Sequence, residues 1–270
     1  MIRTMNNESE VIQFIESLLA KGYCCPMLNT LEQLKKNLLK VFEHPNDSVL
    51  GAYEKGRLVG VFSFLVEPEE RYIEMIAALS TSDAACKKAI EYLRQNYSGY
   101  KLDCVIHPTN SAVRLALEEY GASFYPMQIR MRLKEQIHYK HNHTVIPFSE
   151  EYRSEYLAIH DTDCYWTGER VLASQHIFQV FLALENNRAV GYIDVTHVHS
   201  ENEIYNVFVR KEHRFRGMGK ALLEAALNFN GNKGMTLEVD EDNLPAIHAF
   251  RRMGFEKVNG EESITASLSI

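Results

Sequence analysis

The chain has 270 residues, 46% of them hydrophobic, and a formal net charge of −7, which suits one large domain or two of ordinary size with a real core. The negative charge argues against a general nucleic-acid binder, and no apolar run approaches the roughly 20 residues of a membrane span. The N-terminal residues lack the apolar core of a secretory signal, and the five cysteines are odd in number without CxxC spacing, so we expect reduced thiols in a cytoplasmic protein.

The first half of the chain is predicted to begin with two helices, at 8–20 and 30–43, where apolar residues recur at helical spacing. Two strands joined by the tight turn EKGR follow, and then a third strand at 72–79. The order continues with a helix at 84–95, a strand, a helix at 110–120 and a last strand.

The second half repeats this order, with the turn ENNR, a strand at 203–209 and helices at 217–228 and 243–253. Antiparallel hairpins followed by strand–helix–strand units predict an α+β fold. Each half should form a mixed, mostly antiparallel sheet flanked by helices.

An internal repeat supports this division of the chain. The stretch CVIHPTNSAVRLALEEYGASFY matches EVDEDNLPAIHAFRRMGFEKV, and the asparagines Asn110 and Asn243 of the two stretches lie 133 residues apart. The glycines of the two stretches have the same separation, and a pair of glycines upstream is separated by 131 residues. We therefore expect two similar domains, at 1–133 and 144–270, joined by a polar linker at 134–143.

The segment NVFVRKEHRFRGMGKALLEAAL reads as a strand, a basic glycine loop and a helix. The start of a helix presents unpaired N–H groups and a positive partial charge, which together favour a bound anion. Gly217 and Gly219 have no Cβ, so an anion can approach the main chain closely. Arg214, Arg216 and Lys220 add positive charge, and the segment is predicted to hold a polyanion such as a pyrophosphate.

In its context this segment resembles a signature of the GCN5-related N-acetyltransferase (GNAT) superfamily, V-x-x-x-x-R-x-x-G-x-G, beginning here at Val209. A second signature of that family, a strand followed by N-x-x-A and an aromatic residue, is matched by Asn243, Ala246 and Phe250. The resemblance covers the second half of the chain well and the first half only in outline.

The resemblance implies direct transfer of an acetyl group from acetyl-CoA to an amine of a small molecule or peptide, in a ternary complex. In that family the glycine loop holds the pyrophosphate of CoA, the preceding strand pairs with the pantetheine arm, and the residue matching Asn243 lies close to that arm. The cofactor-binding residues it implies are Val207, Phe208, Val209, Arg214, Phe215, Arg216, Gly217, Met218, Gly219, Lys220, Asn243, Ala246 and Phe250.

A non-catalytic acyl-CoA sensor or interaction protein is the alternative, because Phe250 stands where many GNAT members have a proton-donating tyrosine. The first copy also lacks the glycine loop, since Ser82, Ala85 and Lys87 stand at its key positions. We expect that copy to fold without binding CoA in the same way, and the protein to be a monomer or homodimer.

Tyr205 is the catalytic candidate, because the resemblance places it where many members carry a glutamate base. It lies two residues before Val207, which predicts that both face the same side of the strand, whereas Asn206 has the opposite parity. The other reading is that Tyr205 lines the acceptor pocket or packs in the core. The backbone N–H of residue 208 or 209 is the candidate for polarising the acetyl carbonyl.

The segment IHDTDCYWTGER supplies the expected acceptor-binding residues, Asp161, Trp166 and Glu169, since acids beside aromatic rings suit an ammonium group. A capped helix–loop with an anchoring tryptophan explains the same pattern. No metal site is expected, because the histidines of HYKHNH and THVHS lack a completing cysteine or carboxylate spacing. Cys164 has no base beside it in sequence and is a poor nucleophile candidate.

Overall fold

The computed structural model describes residues 1–25, 28, 38, 41–42, 46–135 and 143–270. These residues form two compact units, one of 1–128 with 259–270 and the other of 129–258. The predicted helix at 30–43 lies almost entirely outside the described residues.

The first unit contains a sheet with the strand order β1-β2-β3-β4-β5-β14-β6. Helices α2 and α3 pack on one core of this sheet, and α1 packs on the other. The predicted helices at 84–95 and 110–120 are confirmed as α2 and α3 to within one or two residues. The elements of the unit are β1 (Ile2–Thr4), α1 (Glu8–Leu19), β2 (Ser48–Glu54), β3 (Arg57–Glu67), β4 (Tyr72–Ser80), α2 (Asp83–Asn96), β5 (Lys101–Ile106), α3 (Ser111–Glu119), β6 (Ser123–Phe124) and β14 (Ile264–Ser269).

The second unit contains a sheet with the order β13-β7-β12-β11-β10-β9-β8. Helices α6 and α7 cover one core, and α4 and α5 cover another. Mixed sheets flanked by helices confirm the predicted fold class. The elements are β7 (Gln128–Leu133), β8 (Thr144–Pro147), α4 (Arg153–Ile159), α5 (Gly168–Ala173), β9 (Phe178–Glu185), β10 (Arg188–Thr196), β11 (Glu201–Val209), α6 (Met218–Asn230), β12 (Gly234–Asp240), α7 (Leu244–Arg252) and β13 (Phe255–Lys257).

Both predicted hairpin turns are present. Lys55 and Gly56 connect β2 to β3 with φ of 48° and 78°, and Asn186 and Asn187 connect β9 to β10 with φ of 51° and 57°. Positive φ at both central residues is the geometry of a two-residue turn that matches strand twist, and Gly and Asn adopt it most readily.

The two units differ from the expected domains 1–133 and 144–270, because two strands are exchanged. β14, from the end of the chain, lies between β5 and β6 in the first sheet, and β7 lies between β12 and β13 in the second. An alternating strand pattern is the same whichever sheet the strand joins, so the sequence does not disclose this exchange.

A β-bulge and a divergence of strands recur in both units. The register of β10 with β11 runs from Asp194↔Asn206 to Val195↔Ile204, so Tyr205 is the extra residue of a bulge. The recorded pairing of β11 with its parallel neighbour β12 ends at Ile204. In the first unit, Ile76 is the extra residue of the corresponding bulge, and the pairing of β4 with β5 likewise ends at Met75.

Candidate active site

The glycine loop leads from β11 into α6, as predicted. Gly217 is the N-cap residue of α6 with φ of 92°, and no side chain caps this helix. Within the described part of the chain, the backbone N–H groups of Phe215 through Gly219 donate no hydrogen bond. This cluster of available donors at the start of a helix is a suitable site for an anion.

Neighbouring side chains brace the loop. The Nε of Arg214 donates to the carbonyl oxygen of Val209 at 2.8 Å, and its guanidinium lies 5.7 Å from the ring centroid of Phe208. His143 Nε2 donates to the carbonyl oxygen of Arg216 at 2.7 Å. Arg214 therefore holds the loop conformation as well as contributing charge, and sequence reasoning missed the role of His143 because it precedes the loop by more than 70 residues.

The side chains of the loop differ in what they offer a ligand. Phe215 is 98% exposed and has φ of 63°, an unusual backbone conformation for a non-glycine residue. Arg216 Nη1 lies 3.7 Å from Glu185 Oε1, which partly balances its charge. The side chain of Met218 is buried, so this residue offers a ligand its backbone N–H and not its side chain. The side chain of Lys220 is half-buried.

The start of α7 differs between the two copies. Asn243 caps α7 by accepting a hydrogen bond from the N–H of Ala246 at 3.3 Å. In the first unit, Asn110 instead donates its amide to the carbonyl oxygen of Ala78 at 2.8 Å. By strand register Ala78 corresponds to Val207. In the first copy the asparagine amide is therefore bound to a backbone carbonyl of the strand segment that diverges from its neighbour.

A cavity of about 300 Å³ opens at this place in the first unit, beside Ser80 and Asn110. Its lining includes the acidic residue Asp83 at the start of α2, where the second unit has the glycine loop. The two units therefore offer different chemistry at equivalent positions.

Phe250 is 6% exposed and packs edge-to-face on Phe255, with ring centroids 6.1 Å apart. It shares its buried helix face with Ile247, and His248 is exposed. Phe250 is thus a core residue, and its contact with a cofactor stays a prediction.

Tyr205 lies in an aromatic cluster with Trp166 and Phe178, at ring-centroid distances of 6.4 and 6.0 Å. The expectation that it faces the same side as Val207 is wrong: Val207 packs against the core beneath α6 and α7, whereas Phe178 and Trp166 belong to the core on the opposite face. The bulge inserts one residue and reverses the alternation. Tyr205 is 38% exposed, whereas its first-unit counterpart Ile76 is 3% exposed.

The two predicted acidic residues have hydrogen-bond partners within the protein. Asp161 Oδ1 accepts a hydrogen bond from the N–H of Asp163 at 2.9 Å, forming a local turn. The Glu169 carboxylate accepts a hydrogen bond from Arg153 at 2.6 Å and is therefore already engaged. Trp166 lies beside Tyr205, and binding of an ammonium group by Asp161 or Glu169 stays a prediction.

A buried polar cluster lies beneath this segment. Asp194 on β10 accepts hydrogen bonds from Tyr156 Oη at 3.0 Å and from His160 Nε2 at 2.9 Å. The other ring nitrogen of His160 donates to the carbonyl oxygen of Asp161 at 2.8 Å, and the ring stacks on Tyr192 with centroids 4.8 Å apart. Sequence reasoning missed the cluster, since its members come from separate elements.

Burial and charge act together on the titration of this cluster. Burial raises the pKa of Asp194, partly opposed by the hydrogen bonds from His160 and Tyr156. Burial by itself lowers the pKa of His160, but the Asp194 carboxylate and the Asp161 carbonyl outweigh it, so the pKa of His160 is raised. The pair therefore favours a protonated imidazole beside the carboxylate.

Cys164 is unsuited to nucleophilic attack. Its Sγ lies 3.2 Å from the carbonyl oxygen of Trp166. Burial, followed by the charges of Asp161, Asp194 and Asp163, raises the pKa of the Cys164 thiol to about 11. The thiolate, which is the reactive form, is scarce at neutral pH.

The remaining sequence features are the two histidine-rich segments and the absence of a long apolar run. His138 and His141 lie outside the described residues, and His197 bonds to the carbonyl oxygen of Gln175 at 3.2 Å. Among the residues that the structure covers, no group of three histidine, cysteine or acidic side chains is placed to hold a metal ion. In the same part of the chain, no helix is long and apolar enough to span a membrane.

The second unit and the fold of the whole chain are both similar to known proteins. Residues 145–255, which lie within the second unit, match the Acetyltransferase (GNAT) family. A solved tandem GNAT protein from the clavulanic acid biosynthesis pathway superposes with a TM-score of 0.61 at 14% identity, covering 99% of this chain and 97% of that one. This likeness shows that the two-unit fold of the whole chain is similar to the fold of that protein.

Curated relatives match shorter parts of the chain. The mycothiol acetyltransferase of Rhodococcus jostii is 31% identical over 34% of this chain and 36% of its own length. The streptothricin acetyltransferase of Streptomyces lavendulae is 44% identical over 19% of this chain and 29% of its own length. The chain thus spans well under half the length of these relatives.

Proposed function

We propose that the second unit binds acetyl-CoA and transfers its acetyl group to the amine of a small molecule or peptide. The observation that carries the proposal is the group of backbone N–H donors from Phe215 to Gly219 that make no hydrogen bond within the described part of the chain. These donors follow a strand that diverges from its neighbour. The match of residues 145–255 to an acetyltransferase family supports this class of reaction.

The residues present fit the parts of acetyl-CoA. The N–H groups of Gly217, Met218 and Gly219 would donate hydrogen bonds to the pyrophosphate, and Lys220 and Arg216 would add positive charge. The strand segment from Val207 to Val209 lies beyond the end of the recorded β11–β12 pairing, so its backbone is positioned for a pantetheine arm. Asn243 and Ala246, at the start of α7, would border that arm, and Phe250 would support it from the core.

Acetyl-CoA would supply a thioester, and the side chains of this protein would prepare the acceptor. The attacking amine must be neutral, so a group that removes a proton or orders water aids the reaction. Tyr205 is proposed to be this group, because its ring is partly exposed and lies at the bulge of β11. The backbone N–H of Phe208 or Val209 is proposed to polarise the acetyl carbonyl.

Transfer is proposed to be direct, within a ternary complex. The raised pKa of Cys164, about 11, supports this because it disfavours a covalent thiol intermediate. Two relatives are named for acetylation of streptothricin and of mycothiol, which supports a small molecule as the first acceptor class to test.

The experiment is release of free thiol from acetyl-CoA with a panel of amines, using the full chain. Substitution Tyr205→Phe is expected to lower turnover about tenfold or more while the Kd for CoA changes less than about twofold, if the hydroxyl moves a proton. The matched control is Tyr125→Phe, an exposed tyrosine of the first unit. Tight CoA binding without turnover of any amine would contradict the transferase and favour an acyl-CoA sensor.

We also propose that the first unit does not bind CoA in the same way. Asp83 places a carboxylate where the second unit has its anion-binding loop, and Asn110 occupies the carbonyl of Ala78. Calorimetric titration of the full chain should give one CoA per chain, and Gly217→Glu should abolish that binding. Two sites per chain, or binding that survives Gly217→Glu, would overturn this assignment.

A further inference from the structure

We propose that Tyr156, His160 and Asp194 form a positioning cluster that holds the acceptor wall, defined here as Trp166, Phe178 and Tyr205. The inference rests on the proposed acetyltransferase function, and it assigns to three buried residues the affinity for the amine acceptor. None of the three is proposed to contact acetyl-CoA or the reacting atoms.

The cluster joins the two halves of the wall. Asp194 is the residue of β10 at which the register shifts, opposite the bulge that turns Tyr205 toward Trp166. His160 bonds at one ring nitrogen to Asp194 and at the other to the carbonyl of Asp161, which begins the segment leading to Trp166. One imidazole ring therefore links the bulge to the loop that carries the tryptophan.

The hydrogen bonds suit a charged pair. Both ring nitrogens of His160 face oxygen atoms, so a doubly protonated ring can donate to each of them, and the Asp194 carboxylate then balances its charge. Tyr156 supplies a further donor to the same carboxylate. The side chains of His160 and Asp194 are 1% and 0% exposed, so removal of one partner leaves a buried charge without compensation.

The first unit shows that the fold itself does not need this cluster. Its β3–β4 pair has the same bulge, with Ser63 in the place of Asp194 and Ile76 in the place of Tyr205. The Ser63 hydroxyl is buried and makes no hydrogen bond within the described residues. At this position of the bulge, the unit with the glycine loop and the exposed Tyr205 has the buried pair of His160 and Asp194, whereas the other unit has Ser63, which points to a task beyond forming the bulge.

The test separates acceptor binding from cofactor binding. Substitution Asp194→Asn removes the negative charge, and we expect the KM for the amine to rise about tenfold or more, with the larger part of the change in KM rather than kcat. The Kd for CoA should change less than about twofold. Tyr156→Phe removes one donor and leaves the ion pair, so it should raise the same KM by about threefold to tenfold; it also serves if Asp194→Asn fails to fold.

A spectroscopic readout makes the test independent of turnover. Trp166 is the single tryptophan of the chain, so its fluorescence reports on the wall directly. Both variants should make this fluorescence more accessible to acrylamide quenching. The matched control is Asn202→Ala, which breaks a buried hydrogen bond to Asn230 on the opposite face of the same sheet and should destabilise the unit without changing quenching or the amine KM.

Unchanged quenching and unchanged amine KM in the two cluster variants would overturn the inference. Equal weakening of amine and CoA binding would also overturn it, because that result indicates general damage. If no amine is acetylated by the wild type, the transferase fails, whereas increased quenching in the cluster variants against the Asn202→Ala control still supports the positioning of Trp166.

Discussion

Substitution Gly219→Ala is expected to stabilise the protein and to weaken its binding of CoA. Gly219 is the second residue of α6, and a Cβ added there would meet only Val209 Cγ2, at 4.0 Å. Alanine is favoured over glycine in a helix by up to about 1 kcal/mol, so the melting temperature should rise by about 2 °C.

The same methyl group would stand over the N–H groups that are proposed to hold the pyrophosphate. Loss of one or two hydrogen bonds to a charged group costs about 1.5–3 kcal/mol, which is about a tenfold to 150-fold increase in Kd. Calorimetric titration with CoA measures this change, and thermal denaturation followed by circular dichroism measures stability. The control is Ser154→Ala, an exposed position of α4, which should gain helix propensity and leave the Kd unchanged.

A Kd for CoA within about twofold of wild type would refute the placement of the pyrophosphate. Gly217→Ala provides the contrast, because Gly217 has φ of 92° and an added Cβ would lie 3.1 Å from His143 Nε2. That substitution should lower the melting temperature, since a non-glycine residue in this conformation costs about 1–2 kcal/mol. A higher melting temperature for Gly217→Ala would contradict the loop geometry.

Three further predictions concern stability and reactivity. Gly121 and Gly254 both follow a helix, with φ of 81° and 91°. An added Cβ would meet no atom within 4 Å at Gly121 but would lie 1.6 Å from a backbone oxygen at Gly254. Substitution by alanine should therefore lower the free energy of unfolding, measured by urea denaturation, by about 1–2 kcal/mol at Gly121 and by clearly more at Gly254. Burial, and then neighbouring carboxylates, raise the pKa of Glu74, so the wild type should lose stability as pH rises through that pKa. Glu74→Gln should therefore raise the melting temperature at pH 7 more than at pH 4, unlike the exposed control Glu256→Gln. An equal effect at both pH values would contradict this. Iodoacetamide should alkylate Cys164 at a rate that climbs with pH until about 11, and a plateau near pH 9 would show an ordinary thiol.

The sequence was sufficient to predict features that depend on local pattern. The α+β class, the two hairpin turns and the helices after each third strand follow from periodicity and from turn residues such as Gly56 and Asn187. The glycine loop was likewise predicted, because the conformation of Gly217 and the start of α6 are set by adjacent residues.

Features that depend on distant contacts were not predictable. The alternation rule failed at Tyr205, because a bulge is set by how β10 and β11 pair and leaves no composition signal. The cluster around Asp194 needs three separate elements to meet, and the hydrogen bond from Arg153 to Glu169 joins residues 16 apart in the chain. Each of these cases needs the tertiary arrangement, which residue spacing does not encode.

The exchange of β14 reverses the order in which the two units can be completed during translation. The second unit, 129–258, is one continuous stretch, and all its strands have been synthesised before the C-terminal residues emerge from the ribosome. The first unit lacks the strand between β5 and β6 until Ile264–Ser269 has been synthesised. The half of the protein that is made first is therefore the half that finishes folding last, and a stop codon after residue 258 would leave the earlier half open while sparing the later one.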